Sequence, residues 1–393
     1  MYINPSDLDT IQWEPTSICN ANCICCPRTD HDTMLTKPWI LKFQHHTSEE
    51  QYNAVIKSFC DPRLQKLRKI IYNGNIGDAM MHPFIDKILI GIAKEKPNLA
   101  QEVHTNGGGK WAKKIENVCK YIVDNDYKPR INFVFSIDGL EDTNHLYRRN
   151  VVWKNIMENV DVFKKYDIHC TWRWNTFDHN KHQIDEARQL AESWKWFFKV
   201  NEGTFGQDEV TENYKKESNQ NLYKQKIKLN IEDDLVTYDE DPNLPPLHAG
   251  RSIAKKDICP WKTNNDIQIM SDMTVWPCCW TSHFHYIYSL GYEQLWKGDK
   301  FVSAGKLGVS DYDISFIREW DLKVGRDYDK NKDVKITNDH LLYDVLVSDT
   351  YKHIGDMFNT HHFQLDVCKA TCRSERVNLE FDEHGRQFKD HNR

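Results

Sequence analysis

The chain of 393 residues has no apolar run approaching the roughly 18 residues that a membrane helix needs. Its first residues, MYINPSDLDT, lack the charged-then-apolar pattern of a targeting segment. No stripe of Lys and Arg runs along it, and the formal net charge is −6. A nucleic-acid partner needs a basic footprint for phosphates, so none is expected. The chain has twelve cysteines but no export signal, and a disulfide framework belongs to short secreted domains. The expected setting is therefore reducing and cytoplasmic. Hydrophobic residues make up 39 %, enough for a core, while a mean hydropathy of −0.72 implies a large polar surface. The length allows about two to three domains.

What stands out against that background is residues 11–28, IQWEPTSICNANCICCPR. Cys19, Cys23 and Cys26 follow the spacing C-x3-C-x2-C. Thiolates so spaced on one loop can wrap one face of an iron–sulfur cluster, which takes four such ligands when closed. Three local ligands leave one iron open, and an open site points to chemistry, as it does for zinc. Zinc normally adds a second close cysteine pair nearby, and none follows before Cys278 and Cys279.

The stretch resembles the signature of the radical S-adenosylmethionine superfamily. The resemblance implies a [4Fe-4S] cluster on Cys19, Cys23 and Cys26, with S-adenosylmethionine chelating the open iron. It also implies a flavodoxin- or ferredoxin-like electron donor. The residue before the last ligand, often aromatic in that family, is Cys25 here.

The remaining pattern is a βα series. Strands are expected at 9–14, 67–73, 100–105, 131–137, 168–176 and 196–201. Helices are expected from Ser48 (a capping box with Gln51) to about Cys60, then from Pro83, at 110–124, 153–166 and 181–195. Such alternation argues for a parallel sheet with helices outside. Six units in about 200 residues fit a partial (β/α)6 TIM barrel, whose working residues follow the strands.

The strand ends carry the residues that the resemblance implies for binding S-adenosylmethionine. GNIGDAMMHP (74–83) is similar to a Gly-Gly-Glu-Pro motif and offers Asp78. Thr105 and Asn106 follow the third strand, and Ser136 and Asp138 close the fourth. Arg148 or Arg149 would pair with the ligand carboxylate, a bidentate task suited to guanidinium. Asn180 follows the fifth strand. Cys119 shares a helical face with Ile115, Val118 and Ile122 and is expected in the core.

The barrel is expected over 1–205, a linker or lid over 206–254, and a second domain over 255–393 with an insertion near 285–350. In that last part Cys259 and Cys278 flank a predicted β-hairpin (IQIMSD, TVWPCC), and Cys368 and Cys372 form C-x3-C. Two separated pairs supply four thiolates, enough for one closed cluster. This part resembles the small α+β twitch/SPASM domain, which implies an auxiliary [4Fe-4S] cluster for electron transfer. Cys279 competes with Cys278 for the ligand position. Four cysteines are also a normal set for structural zinc. The family reading implies hydrogen abstraction from a peptide or protein side chain, or dehydrogenation of a small molecule. With the cysteine loop starting at residue 19, no N-terminal leader-binding domain is expected. The rival is a zinc-binding scaffold without catalysis. Trp172, Trp174, Trp261, Trp276 and Trp280 suit either a pocket or the core.

Overall fold

The computed structural model describes residues 4–24, 26, 28–29, 35–36, 40–41, 44–201, 265–278, 296–297, 300–301 and 332–353. Cys25, Cys259, Cys279, Cys368 and Cys372 lie outside these, as do Trp261, Trp280 and the segment 206–254.

Six parallel strands stand side by side in sequence order. They are β1 (Thr10–Trp13), β2 (Lys69–Tyr72), β3 (Ala100–Thr105), β4 (Ile131–Ser136), β5 (Thr171–Asn175) and β6 (Phe197–Asn201). Between them run α1 (Glu49–Phe59), α2 (Ile85–Glu95), α3 (Ala112–Asp124), the short α4 (Asn144–Tyr147), α5 (Trp153–Lys165) and α6 (Ile184–Ser193). The fold is thus α/β with a parallel sheet. Parallel strands in sequential order, joined by right-handed crossovers, put every helix on one face.

Burial follows that geometry. Strand residues facing the helices are buried, among them Ile11, Trp13, Ile70, Val103, Phe135, Trp172 and Trp174. Trp13 meets Phe59 of α1 edge-on, and Trp172 stacks on Trp194 at 5.2 Å. The tryptophans of β5 are therefore core, as is Trp276. Cys119 is fully buried on α3 beside Ile115, Val118 and Ile122. The Ser48–Gln51 capping box forms at the start of α1, an arrangement worth about 1 kcal/mol.

Two details differ from the expectation. Pro83 does not open a helix; Asp78 caps a 3-10 turn over Ala79–Met81, and α2 begins at Ile85. A second 3-10 turn, Lys181–Gln183, precedes α6. The hairpin forms as β7 (Asp266–Ile269) and β8 (Val275–Trp276), and β7 joins the sheet as a second parallel neighbour of β1. The edges of this sheet are β6 and β8. A further strand pair joins β9 (Trp296–Lys297) to β10 (Lys300–Phe301). The helix α7 (Leu342–Val347) packs on α1, its Leu342 N–H donating to Ser58 Oγ at 3.0 Å. Among the described residues no helix is long and apolar enough to cross a membrane.

Candidate functional site at the strand ends

The carboxyl ends of β1 to β5 meet around the cysteine loop. Glu14, one residue past β1, is fully buried and accepts three backbone N–H groups: Asn75 at 2.9 Å, Ile76 at 3.2 Å and Gly77 at 2.9 Å. Burial raises its carboxyl to about 7 despite those donors and the nearby Arg28 charge. The loop it grips needs glycine, because a Cβ on Gly77 would collide with the Thr16 carbonyl. Arg28, 2 % exposed, ties the same two loops together: its Nη1 donates to the Ser17 and Ile76 carbonyls, both at 2.8 Å.

Asp78 sits at the end of the β2 loop, buried, and its hydrogen-bond partners among the described residues are all neutral. Its oxygens accept from Met80 N–H at 3.0 Å, Thr105 Oγ1 at 2.9 Å, and the Asn106 N–H and Nδ2, both at 2.8 Å. Burial still pushes its carboxyl above the ordinary aspartate value. Asn106 continues the network: Nδ2 donates to Asn20 Oδ1 at 2.9 Å and reaches Cys19 Sγ at 3.8 Å. Gly107, next in the chain, has φ +74°, a conformation that favours glycine.

A second network surrounds Cys23. Asp138, fully buried after β4, forms an ion pair with Arg148 Nε at 2.7 Å and accepts the Asn175 N–H at 2.6 Å. Arg148 Nη1 reaches Cys23 Sγ at 3.7 Å. Asn180 is fully buried; its Nδ2 donates to the Asp138 and Asn175 carbonyls, and its Oδ1 accepts the Phe177 N–H at 2.7 Å. Arg149 adds a backbone contact, its carbonyl accepting Asn22 N–H at 3.0 Å, and burial lowers its guanidinium below the usual arginine value. Within the loop, Cys26 N–H donates to the Cys23 carbonyl at 3.1 Å.

The fold thus joins Asp78, Thr105 and Asn106 beside Cys19, and Asp138, Arg148 and Asn180 beside Cys23. Ser136 is half-buried on β4 and belongs to neither network. Burial pushes the Cys19 thiol well up, and raises that of Cys23 to about 11 against the pull of Arg148. Among the described residues no three His, Cys, Asp or Glu side chains are grouped so as to hold one metal ion. Cys278 is buried beyond β8, near the buried Tyr351. Sequence reasoning missed Glu14, Arg28 and Asn175. For Glu14 the only signal was a carboxylate at the end of a strand entering the cysteine loop.

No protein-family model matches the chain, and no curated protein matches it. Among solved structures, SuiB of Streptococcus suis bound to S-adenosylmethionine is 13 % identical, over 77 % of this chain and 68 % of that one, with a TM-score of 0.45. A second Streptococcus suis SuiB structure is 14 % identical over the same shares, with a TM-score of 0.41. BtrN in complex with AdoMet and 2-DOIA is 11 % identical over 92 % of each chain, with a TM-score of 0.39. These likenesses are too distant to carry chemistry, which rests on the residues just described.

Proposed function

We propose that this protein is a radical S-adenosylmethionine enzyme. The observation that carries the reading is the convergence of a C-x3-C-x2-C loop with the ends of the following parallel strands. Asn106 stands 3.8 Å from Cys19 Sγ, and Arg148 stands 3.7 Å from Cys23 Sγ. Cys19, Cys23 and Cys26 would hold one [4Fe-4S] cluster and leave one iron for a ligand that is not protein. The donor set fits that group. The raised Cys19 and Cys23 thiols resist ionisation alone, and a metal partner makes the thiolate the favoured form. Polar donors beside the sulfurs favour their negative charge. When bound, the cluster would supply the one electron that breaks the C5′–S bond of S-adenosylmethionine, giving methionine and a 5′-deoxyadenosyl radical able to take a hydrogen atom from the substrate.

The chain's own residues hold and orient. Glu14 and Arg28 fix the cysteine loop against the β2 loop. Arg148 keeps a guanidinium at the Cys23 sulfur, and Arg148 or Arg149 meets the carboxylate of S-adenosylmethionine. Asp78 and Asn180 spend their side chains on protein partners, so their part is to position the loops around the ligand. Thr105, Asn106, Ser136 and Asp138 border the same space. Cys259, Cys278, Cys368 and Cys372 would hold a second, closed [4Fe-4S] cluster that carries an electron away from the substrate, and a flavodoxin- or ferredoxin-type protein would be the electron donor of the enzyme. The substrate is a peptide or protein side chain or a small molecule.

Reduction of iron-loaded protein with dithionite in the presence of S-adenosylmethionine, without oxygen, is expected to release 5′-deoxyadenosine. Absence of that product, with zinc rather than iron in the purified protein, would leave the metal-binding scaffold standing.

A further inference from the structure

The face of the sheet opposite the helices is unusually polar for a parallel sheet, whose two faces are normally both apolar and covered. Strand partners share a face, so the register identifies its members. Glu102 lies opposite Asn132, His104 opposite Val134, Val134 opposite Thr171, and Ser136 opposite Arg173, which in turn faces Lys199. All of these but Val134 are polar and most are half-buried, and the same face also carries Ile71 opposite Glu102 and the exposed Phe197 opposite Thr171.

Two features of this face have the chemistry of recognition. On β2 and β3, Lys69 Nζ donates to Glu102 Oε2 at 2.7 Å, and His104 Nε2 meets Glu102 Oε1 at 2.6 Å. Burial opposes the Glu102 charge, and the His104 and Lys69 hydrogen bonds outweigh it, holding the carboxyl down at about 2. An ionised Glu102 accepts the Nε2 proton, which orients the ring and leaves Nδ1 for a further partner, the same orienting logic as in a carboxylate–histidine pair. Nδ1 has no partner among the described residues and is open to solvent. On β5, Arg173 is half-buried, and its guanidinium has no hydrogen bond or ion pair among the described residues. Exposed Lys199 beside it is likewise without a carboxylate there.

A half-buried guanidinium with no counter-ion among the described residues, on a polar face, is suited to receive a carboxylate. Strand spacing and rise put the His104 and Arg173 Cα atoms about 12 Å apart. A molecule of sugar or short-peptide length spans that separation. We propose that this face is the substrate floor. Arg173, with Lys199, binds a substrate carboxylate, and His104 Nδ1, oriented by Glu102 and Lys69, hydrogen-bonds a substrate hydroxyl or amine. The substrate is thus an acidic, hydroxyl- or amino-bearing molecule, free or within a peptide. This deepens the radical reading and rests on it only for what reacts above the floor.

Diethylpyrocarbonate labelling of the full chain under nitrogen, with peptide mass mapping, tests the floor without any turnover. The probes form two matched pairs: gluconate with glucitol, and acetyl-Ser-Asp-Ser-amide with acetyl-Ser-Asn-Ser-amide. His104 should label readily, and the acidic member of one pair should slow it saturably, by about threefold once the probe reaches twice its dissociation constant. The pair that protects tells a free acid from a peptide one. Arg173→Gln should abolish protection and leave the unprotected labelling rate unchanged; Glu102→Ala should weaken protection. Four results would each overturn the proposal: a His104 that labels only after denaturation, no protection by either acid, protection equal with the uncharged partners, or protection retained in Arg173→Gln. Iron content and 5′-deoxyadenosine release report on the cysteine loop separately, so either reading can fail alone.

Discussion

Asp78 and Asp138 are both buried carboxylates at strand ends beside a cysteine, yet the protein satisfies them differently. Asp78 has only neutral partners, two backbone amides, a hydroxyl and a carboxamide. Asp138 has a buried cation, Arg148, which in turn reaches a sulfur. The first arrangement fixes geometry and leaves Cys19 with a carboxamide neighbour. The second places a positive charge at Cys23. One face of the loop is therefore held in shape and the other is held in charge.

The comparison can be broken most sharply at Asp138. Asp138→Ala leaves Arg148 buried without its carboxylate and should cost about 3–5 kcal/mol in urea unfolding. A loss under about 1 kcal/mol would mean that Arg148 has a second anion to turn to.

Glu14 offers an intermediate case, a carboxylate held by amides alone but near a cation. Its folded value, about 7, lies above the ordinary glutamate value of 4.5. The folded state therefore binds the proton more tightly than the unfolded state. This contribution is fully present below about 4.5 and is lost as pH rises through about 7. It amounts to about 3 kcal/mol at most. Urea titrations at pH 5 and pH 8 should show Glu14→Gln losing less stability over that interval than the wild type. An equal or steeper decline in the variant would contradict the assignment.

Asp78→Asn should have the smallest effect. Every lost contact is neutral and no buried cation is stranded, so about 2 kcal/mol is expected. A larger loss than for Asp138→Ala would reverse the ranking on which the comparison stands.

Much of this site is local in the chain and was legible there. Alternating apolar periods gave the six strands in order, and the cysteine spacing sits on one loop. The turn residues at 74–78, 105–107 and 138–139 follow strands directly. What escaped depends on pairing at a distance. The acceptors of Arg28 lie 11 and 48 residues away, and nothing around CCPR distinguishes a buried clamp from a surface cation. The amides held by Glu14 come 61 to 63 residues later. The hairpin was readable from its alternation, but its place beside β1 was not, because parallel pairing of Thr10 with Asp266 leaves no local mark. Arg173 and His104 read as ordinary strand residues until the register put them on one helix-free face.

The central claim is that the cysteine loop holds an iron–sulfur cluster. Its most direct test is iron and sulfide content after anaerobic reconstitution, wild type against Cys19→Ala/Cys23→Ala/Cys26→Ala. About eight irons in the wild type falling to about four in the variant is the predicted result, two [4Fe-4S] clusters with one on the loop. Zinc in place of iron, or an iron count that does not fall, would contradict it.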